Sequence, residues 1–482
     1  MPYRSDMRRH SLKFGTSGLR GLSSELEGAA ARRFVYAFAQ VMHDKGYMAP
    51  GGTVLLGRDL RQSSPAINSD CIAGLETAGF LPVDCGALPT PALARHALVL
   101  GVPAIMVTGS HIPGDRNGLK FYRPDGEIDK QDEAAILAAE IEAPDEIASP
   151  GGLPRSDSNA ASFYVDRALG ILEPDALRGM KVGVYQHSSV MRDMLVEVLA
   201  KLGAEVVPFG RSDIFVSVDT EALRQEDADA CCRAAGEHGL NAVVSTDGDG
   251  DRPLIADEKG DFLRGDLLGA ITADMLGADC LVTPITSNTG IERSGRFVKV
   301  VRTRIGSPHV IAGMKQAVEQ GAATVVGFEA NGGVLLGTDA RIAGHVIPAL
   351  PTRDAMLPIL AILWAWKRSQ RPLSAFAGAF GFGAALAARL KDVPEERSGP
   401  FLATLRDDKA FRDGFADGLL RVGEVDTTDG VRMAADDGSV LHYRASGNAP
   451  ELRCYVEAGS AEKALHMLEE GLARARRHLE AG

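Results

Sequence analysis

Val107-Thr108-Gly109-Ser110-His111-Ile112-Pro113 sets a hydroxyl and an imidazole at the end of the apolar run Ala104-Ile105-Met106-Val107. The run is too short for a helix and reads as a buried strand. Loops at the C-terminal ends of such strands are where α/β proteins place ligands. A serine-hydrolase elbow needs a glycine where Ile112 stands. His111 also follows Ser110 directly, an awkward placement for a base that must reach that hydroxyl. Ser110 is therefore read as a nucleophile or phosphate carrier, which requires a metal and cations from elsewhere in the chain.

A second strand, Ala242-Val243-Val244, runs into Ser245-Thr246-Asp247-Gly248-Asp249-Gly250-Asp251-Arg252-Pro253. Three carboxylates crowded into one turn repel each other, and a hard divalent cation relieves that repulsion. A calcium EF-hand is the nearest rival, with Glu258 at its twelfth position. Arg252, however, stands at the sixth position, where the turn needs glycine, and Pro253 precludes the flanking helix. Magnesium suits a few carboxylates in phosphoryl chemistry.

Three more loops carry polar groups that could bind a sugar phosphate. Lys13-Phe14-Gly15-Thr16-Ser17-Gly18-Leu19-Arg20-Gly21 is a glycine- and hydroxyl-rich loop in which backbone N–H groups and a guanidinium can approach phosphate. Glu329 and Asn331 follow the strand Thr324-Val325-Val326 and could bond neighbouring sugar hydroxyls, although a lone Glu-x-Asn is also ordinary surface. Arg444, Ser446, Asn448 and Arg453 surround Gly447, a set suited to a phosphate that arginine grips through two oxygens, or else a solvated edge.

A chain of 482 residues implies several domains. The 52 basic against 64 acidic side chains, net −12, provide no field for nucleic acid or anionic membrane. The six cysteines include no Cys-x-x-Cys pair, which argues against a disulfide framework or zinc site. Ala355 to Trp366, the longest apolar segment, is broken by Pro358 and too short to span a bilayer. With no signal-like apolar core near Met1 to His10, a cytoplasmic enzyme is expected, monomeric or homodimeric.

Three times an apolar strand ends in a polar, glycine-bearing loop and a short second strand follows. This predicts three related α/β domains with mixed sheets, over 1–150, 151–264 and 265–372. The Pro-, Gly- and Ser-rich stretch from Ala143 to Asn159 marks the first boundary. Helices are expected over Glu25 to Met42 and Glu221 to Glu237. Residues 373–482 read as a smaller α+β domain, with Val431-Arg432-Met433 and Val440-Leu441-His442-Tyr443 paired around Asp436-Asp437-Gly438.

These loops, in this order, resemble the α-D-phosphohexomutase family over nearly the whole chain. In wording such as Thr-Gly-Ser-His-Ile-Pro and Ser-Gly-Asn-Ala-Pro they are most similar to its bacterial phosphomannomutases. The resemblance implies four domains around a central cleft. It implies Ser110 as the phosphorylated residue, with Arg20, Lys120 and His111 in the catalytic set. It makes Asp247, Asp249 and Asp251, with Ser110, the Mg²⁺ ligands. Thr16, Ser17, Arg252, Glu329 and Asn331 are then expected at the substrate, and Arg444, Ser446, Asn448 and Arg453 at its non-reacting phosphate.

The implied reaction moves a phosphoryl group between C1 and C6 of a hexose phosphate, mannose 6-phosphate to mannose 1-phosphate. It runs through a hexose 1,6-bisphosphate, which also serves as activator. Glucose or glucosamine phosphates are the alternative substrates, and a non-catalytic sugar-phosphate sensor the remote one. The chain departs from the family pattern at three places. Ile112 replaces the usual asparagine, Glu329-Ala330-Asn331-Gly332-Gly333 replaces Glu-x-Ser-Gly-His, and Ser307 stands where a histidine often follows glycine, with His309 two residues on.

Overall fold

The structure, a computed structural model, describes residues 12–15, 17–144, 147, 154–446 and 450–481. One strand plan recurs three times. Ala104–Val107 lies parallel to Thr53–Arg58 and antiparallel to Arg116–Arg123. Ala242–Thr246 lies parallel to Lys181–His187 and antiparallel to Pro253–Ala256. Val325–Phe328 lies parallel to Cys280–Pro284 and antiparallel to Val334–Leu336.

The first central strand shows why these runs are apolar rather than alternating. Ala104 and Met106 pack on one side with Leu93 and Ala97 of the helix Thr90–Leu100. Ile105 and Val107 pack on the other with Phe38 and Cys71, from the helices Ala29–Asp44 and Ser64–Thr77. A strand covered on both faces must be apolar on both. The polar loops are thus confined to the strand ends, where Val107 pairs with Leu119, Thr246 with Pro253 and Phe328 with Val334.

Beyond these units lies a five-stranded, wholly antiparallel sheet, ordered Ala384–Lys391, Glu451–Ala458, Val440–Ala445, Val431–Ala434, Glu424–Asp426. The helices Glu395–Asp407 and Ala461–Ala481 share its core. The architecture is the expected one: three mixed-sheet α/β units followed by an α+β unit.

Two expected helices start later than their apolar periodicity suggests. Ser23–Leu26 is a separate turn, and the long helix begins at Ala29. Gly28 breaks the run at φ 85° and donates its N–H to Asp70 Oδ2 at 2.7 Å. The helix expected from Glu221 begins at Gln225. The residues before it reach across to neighbouring units: Ser217 Oγ donates to the carbonyl of His111, and Thr220 Oγ1 to that of Asn331 at 2.9 Å.

The units are locked together by buried polar contacts as well as apolar packing. Tyr164 Oη donates to Asp354 Oδ1 at 2.5 Å and Arg167 Nη1 to Asp354 Oδ2 at 3.0 Å, joining the helix Asn159–Leu169 to the third sheet. The helix Met356–Ser369 is buried along most of its length and packs on Gly265–Met275. Among the described residues no helix is long and apolar enough to cross a membrane.

Candidate active site

Ser110 occupies a left-handed backbone conformation at φ 53°, uncommon for any residue with a Cβ. The surroundings hold it there. Its N–H donates to Thr108 Oγ1 at 2.8 Å, and Thr108 Oγ1 donates in turn to Asp59 Oδ2 at 2.7 Å. Arg61, 1% exposed, donates to the carbonyls of Ser110, Ile112, Pro113 and Arg116 at 2.7–2.9 Å. Its guanidinium lies 3.9 Å from the ring centroid of Phe215, a residue of the second unit. A Cβ at Gly109 would meet Arg61 Cζ at 2.7 Å, so this loop needs glycine there.

The hydroxyl that this frame presents is buried beside the aspartate loop. Ser110 Oγ donates to Asp247 Oδ2 at 2.6 Å and lies 3.3 Å from His111 Nδ1. Burial, with Arg252 and Arg20 nearby, pushes the pKa of His111 far down, so its ring is neutral at ordinary pH. A neutral imidazole can orient the serine oxygen but adds no charge to it.

Asp247, Asp249 and Asp251 are buried, and their ligand-type oxygens lie within 4.8 Å of one another. Lys120 Nζ donates to Asp249 Oδ2 and Asp251 Oδ2, both at 2.6 Å, and Thr90 Oγ1 to Asp249 Oδ2 at 2.6 Å. Burial, reinforced by Asp249 and Asp251, raises the pKa of Asp247 well above the carboxylate range. Burial also acts to raise the other two, but Lys120 (and Arg353 at Asp251) outweighs it and holds both low. Asp249 Oδ1 and Asp251 Oδ1 are buried without a hydrogen-bond partner. Two unsatisfied carboxylate oxygens beside Asp247 fit a hard divalent cation.

Arg20 lies on Leu19–Leu22 opposite Gly118, one strand from the serine loop. Burial and the neighbouring Arg252 and Arg353 bring its pKa down to about 10. Arg252 lies 3.7 Å from Asp251 Oδ1, and its Nε and Nη1 are buried without a hydrogen-bond partner. An oxyanion entering the cleft would meet those donors.

In the third unit Glu329 and Asn331 are 6% and 5% exposed and bond to each other at 3.4 Å. The residue that joins them to the rest is Arg353, which sequence reasoning missed. It donates to Asp251 Oδ2 at 2.9 and 3.0 Å, to Glu329 Oε2 at 3.0 Å and to Ser17 Oγ at 3.3 Å. One guanidinium therefore ties the first, second and third loops together. A Cβ at Gly333 would meet Arg353 Cδ at 2.6 Å, so the side chain the family often has there would collide with it. Ser307 donates to Glu127 Oε2 at 3.0 Å, and Thr352 to Glu127 Oε1 at 2.9 Å. Those bonds tie the first unit to the third, and His309 takes no part in them.

In the last sheet Arg444 and Arg453 are direct cross-strand partners. Arg444 Nε donates to Asp429 Oδ1 at 3.2 Å, and Arg453 Nη2 stands 3.6 Å from Glu451 Oε2 with its own Nε buried and unpartnered. Two like charges directly opposite repel, and here Asp429 and Glu451 each offset one of them. Their strands also line a cavity shared with Glu221 and Ala330, beside the Glu329–Asn331 loop. Ser446 closes this loop through an N–H bond to the carbonyl of Glu451 at 2.9 Å. Thr16 and Asn448 lie outside the described residues.

Arg61 is a direct test of the frame. Arg61→Met keeps much of the length of the side chain but leaves Asp59 buried and short of its partner. The protein should lose about 3–5 kcal/mol of stability, the usual result of breaking a buried pair on one side. Urea unfolding measures this, and an unchanged midpoint would show that the serine loop holds itself.

Four family models match the chain: Phosphoglucomutase/phosphomannomutase, alpha/beta/alpha domains I, II and III over residues 11–147, 162–260 and 264–380, and the C-terminal domain over 387–474. A phosphomannomutase of Sinorhizobium fredii is 49% identical over 96% of this chain and 98% of its own length. One from Salmonella muenchen is 41% identical over 96% and 95%. A solved phosphoglucomutase/phosphomannomutase family protein from Burkholderia thailandensis superposes with a TM-score of 0.77 at 22% identity, over 97% of this chain and 98% of its own, which shows the shared fold. A strained serine against three buried aspartates, with matches over all four units, makes this chain a member of the phosphoglucomutase/phosphomannomutase family.

Proposed function

We propose that the chain interconverts mannose 6-phosphate and mannose 1-phosphate through a phosphorylated Ser110. The reading is supported most directly by Ser110 Oγ, held 2.6 Å from Asp247 inside the buried aspartate cluster. The relatives named phosphomannomutase point to the same hexose. A sensor that had lost its chemistry would not need the nucleophile and all three carboxylates.

In the first half-reaction the phosphorus–oxygen bond to Ser110 breaks and a new one forms to the free C1 or C6 hydroxyl of the bound sugar. The hydroxyl proton ends on the Ser110 oxygen that is freed. Arg20, although its pKa is brought down to about 10, stays charged at neutral pH and is proposed to steady the transferring group by that charge. Lys120, held between Asp249 and Asp251, keeps positive charge beside the transferring group. The hexose 1,6-bisphosphate then turns in the cleft. Its other phosphate returns to Ser110, and the serine proton passes to the departing sugar oxygen. Such transfers rely mainly on positioning and fixed charge.

Asp247, Asp249, Asp251 and Ser110 would hold Mg²⁺, which when bound would draw negative charge from the phosphoryl oxygens. Arg252 would meet the transferring phosphate, and Ser17, with Thr16, would shape the wall beside Arg20. Glu329 and Asn331 would bond sugar hydroxyls, while Arg444, Ser446, Asn448 and Arg453 would hold the other phosphate. In this reading the domains are 1–150, 151–264, 265–372 and 373–482, working in the cytoplasm on a small hexose phosphate.

Ser110→Ala should remove nearly all turnover while leaving the unfolding transition in place, and intact-mass measurement should find a phosphate on the wild type alone. An active alanine variant would exclude Ser110 as carrier. Treatment with a chelator should abolish activity, and added Mg²⁺ should restore it; activity indifferent to the chelator would refute the metal role. Arg453→Ala tests binding apart from chemistry. A charge-assisted bond contributes about 1.5–3 kcal/mol, roughly ten- to a hundredfold in affinity. A grip made equally in ground and transition states moves KM and largely spares kcat. KM should therefore rise by that factor with a smaller loss in kcat, and an unchanged KM would make this loop a solvated edge.

A further inference from the structure

A second cavity, of about 490 Å³, opens where the first three units meet, and none of the proposed site residues lines it. Its walls come from the helix Thr90–Leu100, the helix Asn159–Leu169 and the segment Val346 to Pro348. That volume falls in the range of small-molecule sites.

Two guanidiniums face this cavity with donors unspent. Arg95 has no hydrogen bond or ion pair among the described residues, and its Nε is buried. Burial and the charge of Arg167 both work against its ionised form, with Asp354 partly offsetting them. Arg167 is 8% exposed; it donates Nη1 to Asp354 and Nη2 to the carbonyl of Pro348 at 3.2 Å, and its Nε is left without a partner. The acids nearby are engaged or turned outward. Asp354 is held by Tyr164 and Arg167, Asp157 pairs with His96 Nε2 at 2.9 Å, and Asp166 is exposed.

The rest of the lining is apolar and open. Phe163, Val99 and Val346 are 49%, 64% and 49% exposed, and the Phe163 ring lies 5.7 Å from that of His96. Exposed apolar side chains gathered around unpaired cationic donors describe a ligand with a flat apolar body and an oxyanion head.

The cavity is also one residue away from the cleft. Successive side chains of a strand point to opposite faces. On Leu350–Asp354, Arg353 reaches Asp251 and Glu329 while Asp354 reaches Tyr164 and Arg167. An anion that draws on Arg167 competes with Asp354, and any shift of Asp354 moves Arg353.

We propose that this cavity is an effector site for an aromatic organic anion, its head on Arg95 and Arg167 and its ring against Phe163, Val99 and Val346. The probe is 8-anilinonaphthalene-1-sulfonate, followed by fluorescence on the full chain. Wild type should bind it saturably. Arg95→Gln should weaken binding about tenfold or more, the loss of one charge-assisted bond. It should leave the melting temperature unchanged, because Arg95 has no bond to lose. Arg453→Ala should bind the probe as wild type does. Saturating probe should change KM or kcat of the wild-type mutase about fivefold, within the usual range of coupling between sites, and should not change those of Arg95→Gln. Equal affinity in Arg95→Gln would overturn the proposal, as would loss of affinity in Arg453→Ala, which would put the probe in the cleft. Binding that falls as protein concentration rises would mean that a second copy covers the cavity, and binding without a kinetic effect would remove the effector role.

Discussion

Three buried aspartates, with ligand-type oxygens within 4.8 Å of one another, are the constraint that the rest of this molecule answers. Burying one charge costs several kcal/mol even after relaxation, and like charges at this spacing add repulsion. The chain meets that cost with cations from three separate units. Lys120 comes from the first, Arg252 from the second and Arg353 from the third. The loops can therefore hold their charge only when the units are docked. Assembly of the cleft and compensation of its charge are one event, which accounts for an active centre built between domains rather than within one.

The same dependence reaches the serine loop. Ser110 sits in a backbone conformation that costs free energy, and the loop keeps it through Arg61, whose own charge is balanced by Asp59 beneath. Phe215 arrives from the second unit to cover that guanidinium, and Gly248 of the aspartate loop leaves room for the ring at 3.0 Å from where a Cβ would lie. The serine is thus oriented from below by its own domain and from the side by the next. A displacement of either unit would move Oγ relative to Asp247, and phosphoryl transfer is sensitive to ångström-scale error in position.

Much of this was legible in the chain because it is local. The strands ending at Val107, Thr246 and Phe328 are short apolar runs, and the loops after them carry their chemistry within a few residues. Ser110, the three aspartates and the Glu329–Asn331 pair are legible that way and Lys120 through the family resemblance, and the structure brings them into contact or to one shared guanidinium. What escaped was long-range. Arg353 lies in Pro351-Thr352-Arg353-Asp354, just ahead of a buried apolar helix, and nothing in its neighbours shows that it meets residues 102 and 336 positions away. A charge placed directly before so apolar a helix was the available signal. Asp59, Arg61 and Thr90 escaped for the same reason, and the helix expected from Glu25 failed at Gly28, where Asp70 draws the backbone N–H out of the helical path.

Arg353 also explains why the Glu329–Gly333 loop departs from its family's wording. A side chain at position 333 would start 2.6 Å from Arg353 Cδ, so glycine at 333 and arginine at 353 are one choice, not two. Where the family pattern offers a histidine from the loop, this chain offers a guanidinium from the strand Leu350–Asp354, tied to Glu329 at 3.0 Å. The exchange puts permanent positive charge where a histidine would titrate near neutrality. It also fixes one oxygen of Glu329, and on the proposed reading leaves the other for the sugar. On that reading, selectivity among hexoses would depend on how Glu329 is oriented from behind as much as on which residues face the sugar.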